Sequence, residues 1–195
     1  VTAAFEAAWD AGGAQKQSLL DLFGTPADFT RGDMAWMLAD SAAMGPQYGF
    51  KADMCGYVVG TVPATYPDLL TAFAAWTADH YGPDFGASCY YSTACLSDPA
   101  RAAEWADNKP WVWQCCHELE YWQVAYPGSL RSSALTLDYF LGQCGAAFGA
   151  GYPAADVTAF NAEYQVGDVV GVVCIAEGGL RVRRLEAAAR GGGDG

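Results

Sequence analysis

Residues 108–124, NKPWVWQCCHELEYWQV, hold three Trp, two adjacent Cys, one His and two Glu. Pro110 follows Asp107 and Asn108, both good helix-start residues, and no breaker comes before Pro127. The stretch is therefore predicted to form one helix of about four turns.

Several chemistries compete for so dense a stretch. As a metal site, Cys115, Cys116, His117 and Glu118 would have to converge, yet a helix spreads consecutive residues around its axis at about 100° intervals. They cannot all face one ion, and the chain has no CxxC or HxxxH pair, so no metal is expected. As a thiol nucleophile, Cys115 or Cys116 would need a base such as His80 brought near in space. The plainer reading makes His117 a solvent-facing helix residue and His80 the continuation of an apolar helix face. A disulfide is physically simpler. Adjacent helix cysteines point in different directions, so at most one of Cys115 and Cys116 can reach the helix that carries Cys144. Such a bridge would close a loop of about 30 residues and contribute about 3–4 kcal/mol. Gln114, Glu118, Tyr121 and Trp122 follow at i, i+4, i+7 and i+8. This stripe of an amide, a carboxylate and two aromatics is suited to lining a substrate pocket. The structural alternative is a Glu hydrogen-bonded in a cap or to a neighbouring helix.

Outward from this stretch, the 195 residues suffice for one domain with a real core. Aromatic residues make up 14% and charged residues only 16%, which excludes overall disorder. A net charge of −12 repels phosphate backbones and anionic lipid, so no nucleic acid is expected as a partner. No apolar run approaches the ~20 residues that span a bilayer, so no membrane partner is expected either. The start, VTAAFEAAWDAGG, has no initiator Met and no leader pattern, and the expectation is that a targeting segment has been removed or that the chain is a piece of a longer one. Seven Cys point to an oxidising compartment.

The chain reads as mainly α. KQSLLDLFG ends at Gly24, which can take a left-handed cap position. DMAWMLADSAAMGP places Met34, Met37, Leu38, Ser41 and Ala42 on one helical face, closed by Gly45-Pro46. YPDLLTAFAAWTADHYGP starts near Pro67, carries Leu69, Phe73, Trp76 and His80 on one side, and ends at Gly82-Pro83. DFGASCYYSTACLSDPARAAEW reads as a looped, disulfide-tied connection. Its GASCY (Gly86–Tyr90) lacks the second Gly of a GxSxG nucleophile elbow. SALTLDYFLGQCGAAFG puts Leu137, Phe140, Leu141, Cys144 and Phe148 on one face, and PAADVTAFNAEY offers a shorter helix with Val157, Phe160 and Tyr164. Composition breaks near Tyr164. DVVGVVCIAEGG then reads as one β-strand near 168–175, followed by an Arg- and Gly-rich tail holding four of the ten basic residues.

The pattern W-x-W-Q-x-C-x-E-x-x-Y at Trp111, Trp113, Gln114, Cys116, Glu118 and Tyr121 resembles a motif of the serine exopeptidases that include lysosomal Pro-X carboxypeptidase, dipeptidyl peptidase II and thymus-specific serine protease. Met34–Cys55, Ser129–Ser133, Cys144–Gly149 and Phe160–Tyr164 resemble further stretches of that family in family order, so the resemblance covers roughly residues 1–165. It implies the helical, disulfide-linked cap domain that interrupts an α/β-hydrolase-type peptidase, with the nucleophile Ser before it and the triad Asp and His after it. No Ser-Asp-His triad is recognisable here. Where the family has N-G-x-x-D-P-W this chain has VVGVVCIAEGG, with a shortened approach and no Asp-Pro-Trp, and Glu177 as a stand-in would have nothing to orient without the triad Ser and His. The resemblance also implies disulfides Cys116–Cys144 and Cys55–Cys95, leaving Cys89, Cys115 and Cys174, and it turns Tyr121 toward the substrate pocket.

The expectations are therefore a cap domain over 1–165, a diverged strand and tail over 166–195, and a parent activity of serine-type exopeptidase in a lysosomal, vacuolar or extracellular setting. Catalytic residues and cofactors are expected to be absent. The expected partners are a peptide substrate and the α/β-hydrolase domain, with a homodimer left open. The rival readings are a non-catalytic disulfide-linked helical binding module and a Cys-dependent enzyme.

Overall fold

The computed structural model describes residues 1–59, 68–153 and 155–156. Residues 1–155 form one compact unit. Among the described residues the fold is mainly helical, with no strand. The helix expected within 153–164, the domain boundary near 165, the strand near 168–175, Cys174 and Glu177 lie outside the described residues.

Helices α1 (Thr2–Ala11) and α2 (Gly13–Leu22) are separated at Gly12, whose φ of 64° only Gly adopts at low cost. They bury Phe5, Ala8, Leu19 and Leu20. Gly24 ends α2 as expected. Its N–H donates to Asp21 O, and the Thr25 N–H reaches back to Leu20 O, the paired bonds of a Schellman end.

Helix α3 (Arg31–Gln47) is the central element, and it starts at a reciprocal capping box. The Asp33 N–H donates to Thr30 Oγ1, while the Thr30 N–H donates to Asp33 Oδ2. Met34, Met37, Leu38 and Ser41 are buried, as the 3.6-residue period predicts. The expected stop at Gly45-Pro46 is overrun, because the helix continues to Gln47 with Pro46 inside its last turn. So close to the end, the missing proline N–H removes one backbone bond, and the Tyr48 N–H still closes on Met44 O. Gly45 also lets the Trp76 ring approach to where a Cβ would touch it at 3.0 Å.

Helix α4 (Lys51–Val58) lies on the surface and buries no residue. Helix α5 (Asp68–Tyr81) buries Leu69, Leu70, Phe73 and Trp76, and the chain leaves it at Gly82 with φ 94°. The connection that follows is more ordered than a loop. Two 3-10 turns (Phe85–Ala87 and Cys89–Tyr91), helix α6 (Thr93–Ser97) and a longer 3-10 segment (Pro99–Trp105) follow one another, the last three opened by side-chain caps from Ser88, Ser92 and Asp98.

Two sequence expectations need correction here. Cys95 bonds Cys89 and not Cys55, which is free and exposed on α4. The Ser92 cap turns the chain so that Cys95 comes back within 5.3 Å, Cα to Cα, of Cys89 six residues earlier. The four-turn helix of the 108–124 stretch is also shorter than expected. Helix α7 (Lys109–Gln114) runs into a π turn (Cys115–Leu119) and stops at Glu120, which has a left-handed φ of 47°. No local breaker ends it. Trp122 leaves the helical path to lie flat on Phe140 (centroids 4.9 Å apart, planes 7° apart), so tertiary packing overrides propensity.

Helix α8 (Leu137–Phe148) begins at Thr136, whose Oγ1 accepts the Tyr139 N–H. Its buried face is Phe140, Gln143 and Cys144, while Leu137 is exposed. The bridge Cys116–Cys144 ties α8 to the π turn. Two apolar clusters result. One gathers α1, α2, α3 and α5 around Phe5, Met34, Phe73 and Trp76. The other contains both disulfides together with Leu96, Trp105 and Val112. The Asp33 carboxylate, fully buried, joins three parts of the fold: its Oδ1 accepts from Thr93 Oγ1, Tyr139 OH and Gln143 Nε2.

Candidate substrate pocket

A cavity of about 370 Å³ opens beside α3, within the range of small-ligand sites. From α3 come Trp36, Asp40, Met44 and Gln47, followed by Tyr48 just beyond its end. Trp111 comes from α7 and Phe140 from α8, and the non-helical segment after Glu120 supplies Tyr121, Trp122 and Gln123. Tyr90 and Arg131 complete the wall. Trp36 anchors it, with Tyr90 at 4.7 Å and Phe140 at 5.5 Å between ring centroids.

Of the four residues read from the 108–124 stretch, Tyr121 and Trp122 line this cavity and Gln114 and Glu118 do not. The helical stripe that was to unite them does not exist, because the helix stops between Glu118 and Tyr121. The two aromatics reach the cavity from the non-helical backbone beyond Glu120, where the Trp122 N–H donates to Glu120 O.

The charged groups are ones that sequence reasoning passed over. Asp40 is half-buried, and the Tyr91 hydroxyl donates to its Oδ2 at 2.7 Å. Desolvation raises its pKa above the usual carboxylate value, opposed by the Tyr91 hydrogen bond and by the positive charge of Arg131. Burial in turn lowers the Arg131 pKa. The Arg131 guanidinium donates to Gln123 Oε1, yet it forms no ion pair with Asp40. A signal was available. Asp40 ends the apolar run Met34–Ala39, and Arg131 is one of six basic residues before the tail.

A larger, more open hollow of about 680 Å³ lies between α1 and residues 125–133. Its carboxylate, Glu6, is already engaged by the Ser132 hydroxyl and faces Arg31. The aromatic cavity is chemically the better site.

Neither histidine serves a nucleophile among the described residues. His80 Nδ1 lies 3.0 Å from Trp76 O, and its Nε2 is 3.8 Å from Asp53. His117, expected to face solvent, stacks on Trp113 with centroids 3.4 Å apart, and its Nδ1 meets Trp113 O. Cys116 is consumed in a disulfide, and burial pushes the Cys115 thiol pKa up to about 11, opposite to what a thiolate nucleophile needs. Ser88 of the GASCY segment accepts the Tyr90 N–H as a cap.

A family model described as Serine carboxypeptidase S28 matches residues 36–168, more than half of the chain. The chain belongs to the serine carboxypeptidase S28 family. Neither a curated protein nor a solved structure matches it. In this S28 chain the match takes in α3 from Trp36 onward, with Asp40, and every other part of the aromatic cavity wall. The family is one of serine peptidases, and the two disulfides of its present member fit an oxidising compartment.

Proposed function

We propose that residues 1–165 are the helical cap of a serine-type exopeptidase and that the aromatic cavity beside α3 is its contribution to the substrate pocket. The observation that carries this reading is the cavity itself, aromatic-walled with a few polar groups, inside a region matched to a serine peptidase family. Peptide substrates present apolar side chains and a charged end, and both kinds of surface line this cavity. The nucleophile Ser and its His base belong to an α/β-hydrolase domain beneath the cap, since both histidines of this chain are engaged elsewhere. The mechanism is acyl-enzyme formation by that Ser, with the cap positioning the peptide by orientation and by exclusion of water. The setting is lysosomal, vacuolar or extracellular, and the substrates include peptides with proline near the cut bond.

The test is a digest. Protein captured from its natural source with an antibody against this chain is incubated with a panel of unstructured peptides, and the products are read by mass spectrometry. Successive or dipeptide trimming from one end is expected. Cleavage confined to internal bonds would contradict the exopeptidase reading, and intact peptides would leave the helical binding module standing.

A further inference from the structure

The cavity holds two opposite charges that do not neutralise each other. Asp40 and Arg131 line the same wall, close enough for each to influence the other's protonation, but no ion pair joins them. Asp40 Oδ2 has the Tyr91 hydroxyl, while Oδ1 has no hydrogen-bond partner among the described residues. Asp40 is half-buried and its Oδ1 is not sealed from the cavity, so this oxygen is free to accept a further donor or cation there.

The surroundings say which ligand would do so. Six aromatic side chains besides Phe140 border the cavity, and aromatic faces favour cations over anions. Arg131 is less committed to this site than Asp40. It borders two neighbouring hollows as well, and its guanidinium is drawn to Gln123. Asp40 faces this cavity and neither of those two. The chain's net charge of −12 also biases the approach of ligands toward cations.

We infer that Asp40 is the specificity residue of the cavity and binds the α-ammonium group of a peptide whose first side chain is apolar or aromatic. This rests on the substrate-pocket reading above and deepens it. The peptide enters amino end first, the ammonium closes on Asp40 Oδ1, and the leading side chain lies among Trp36, Tyr90 and Trp122. Arg131 moderates the site, weakening its hold on a cation.

The experiment uses the purified chain and its own tryptophans, since Trp36, Trp111 and Trp122 line the cavity. Fluorescence titrations compare Phe-Ala amide, which has a free amine and no carboxylate, with N-acetyl-Phe-Ala, which has the reverse, and with neutral N-acetyl-Phe-Ala amide. Phe-Ala amide is expected to bind about tenfold or more tightly than the neutral peptide, the range of one charge-assisted hydrogen bond. Asp40→Asn keeps the Tyr91 contact and should bring the two within about twofold. Arg131→Gln should tighten amine binding severalfold, a rise that loss of structure would not produce and that keeps the test decisive if Asp40→Asn folds poorly. Tighter binding of N-acetyl-Phe-Ala would overturn the inference. So would equal binding of all three peptides, no binding of any, or amine binding that survives Asp40→Asn. None of these outcomes touches the digest, which reads the exopeptidase assignment separately.

Discussion

At the scale of single residues, the fold depends most on a carboxylate with no charge partner. Asp33, on α3, is fully buried and accepts from a backbone N–H, two hydroxyls and an amide, so four donors from the Thr30 cap, α6 and α8 converge on one side chain. Asp33→Ala takes the acceptor from the Thr30 N–H, Thr93 and Tyr139 and removes the capping box, while Gln143 keeps Thr93 and Tyr139 as partners. The expected loss is about 3 kcal/mol or more, read as a lowered urea midpoint. A loss within about 0.5 kcal/mol, the scale of an ordinary surface substitution, would show that the network is ornamental. The tyrosines give a pH prediction. Burial raises the Tyr81 pKa to about 12 and lifts Tyr91 and Tyr139 well above their ordinary value, helped by Asp40 and Asp33 respectively. Unfolded, these phenols ionise near pH 10. The folded state therefore binds more protons than the unfolded state above that pH, and stability present below it is lost as pH rises toward the folded values. Absorbance at 295 nm should show exposed tyrosines titrating first and the remainder only as circular dichroism reports unfolding. A single phase near pH 10 with the helices intact would contradict the burial of these rings.

At the scale of elements, most of the helices were legible because their apolar positions repeat at 3.6 residues and their ends carry Gly or a cap. The face of Met34, Met37, Leu38 and Ser41 and the left-handed end at Gly24 follow from sequence for that reason. The failures share a different cause. The helix through Cys115 ends at Glu120 because Trp122 stacks on Phe140 from another helix, and Cys95 pairs with Cys89 because a cap at Ser92 folds the chain back. Neither long-range packing nor a local turn of mixed 3-10 type leaves a periodic trace. The T-x-x-D of Thr30–Asp33 was a readable start signal, and Asp40 was a visible charge after the apolar run Met34–Ala39, but nothing local told that Asp40 and Arg131 would share a cavity. Gly86 carries an element-scale prediction. A Cβ there would lie 1.9 Å from Phe23 O, which is backbone and cannot swing away. Gly86→Ala should cost about 1–3 kcal/mol, and an unchanged melting temperature would mean the turn sits farther from α2 than described. The disulfides should rank by loop length. Cys116→Ser with Cys144→Ser opens a separation of 28 residues and should cost about 3–4 kcal/mol. Cys89→Ser with Cys95→Ser opens one of 6 and should cost about 2 kcal/mol, so an inverted ranking would contradict the loop-entropy account.

At the scale of the whole molecule, the helices build a pocket wall and the described residues assemble no hydrolytic centre. On the proposed cap reading, this helical unit of an S28 chain, whose two histidines pack against tryptophans and whose free buried thiol is held protonated, leaves the chemistry to another domain. The division of labour is physically sensible. A cap can vary its aromatic walls and the one carboxylate that lines its cavity to change which peptide end is held, without disturbing a triad whose geometry tolerates little movement. The measurement that bears most directly on this division is active-site labelling with a fluorophosphonate, which reacts with an activated Ser, applied in parallel to the purified 195-residue chain and to the natural protein captured with an antibody against it. Labelling of the natural protein, with the chain itself unlabelled, is the predicted result. Labelling of the purified chain would place a nucleophile within these residues, and labelling of neither would remove the serine peptidase altogether; either contradicts the account.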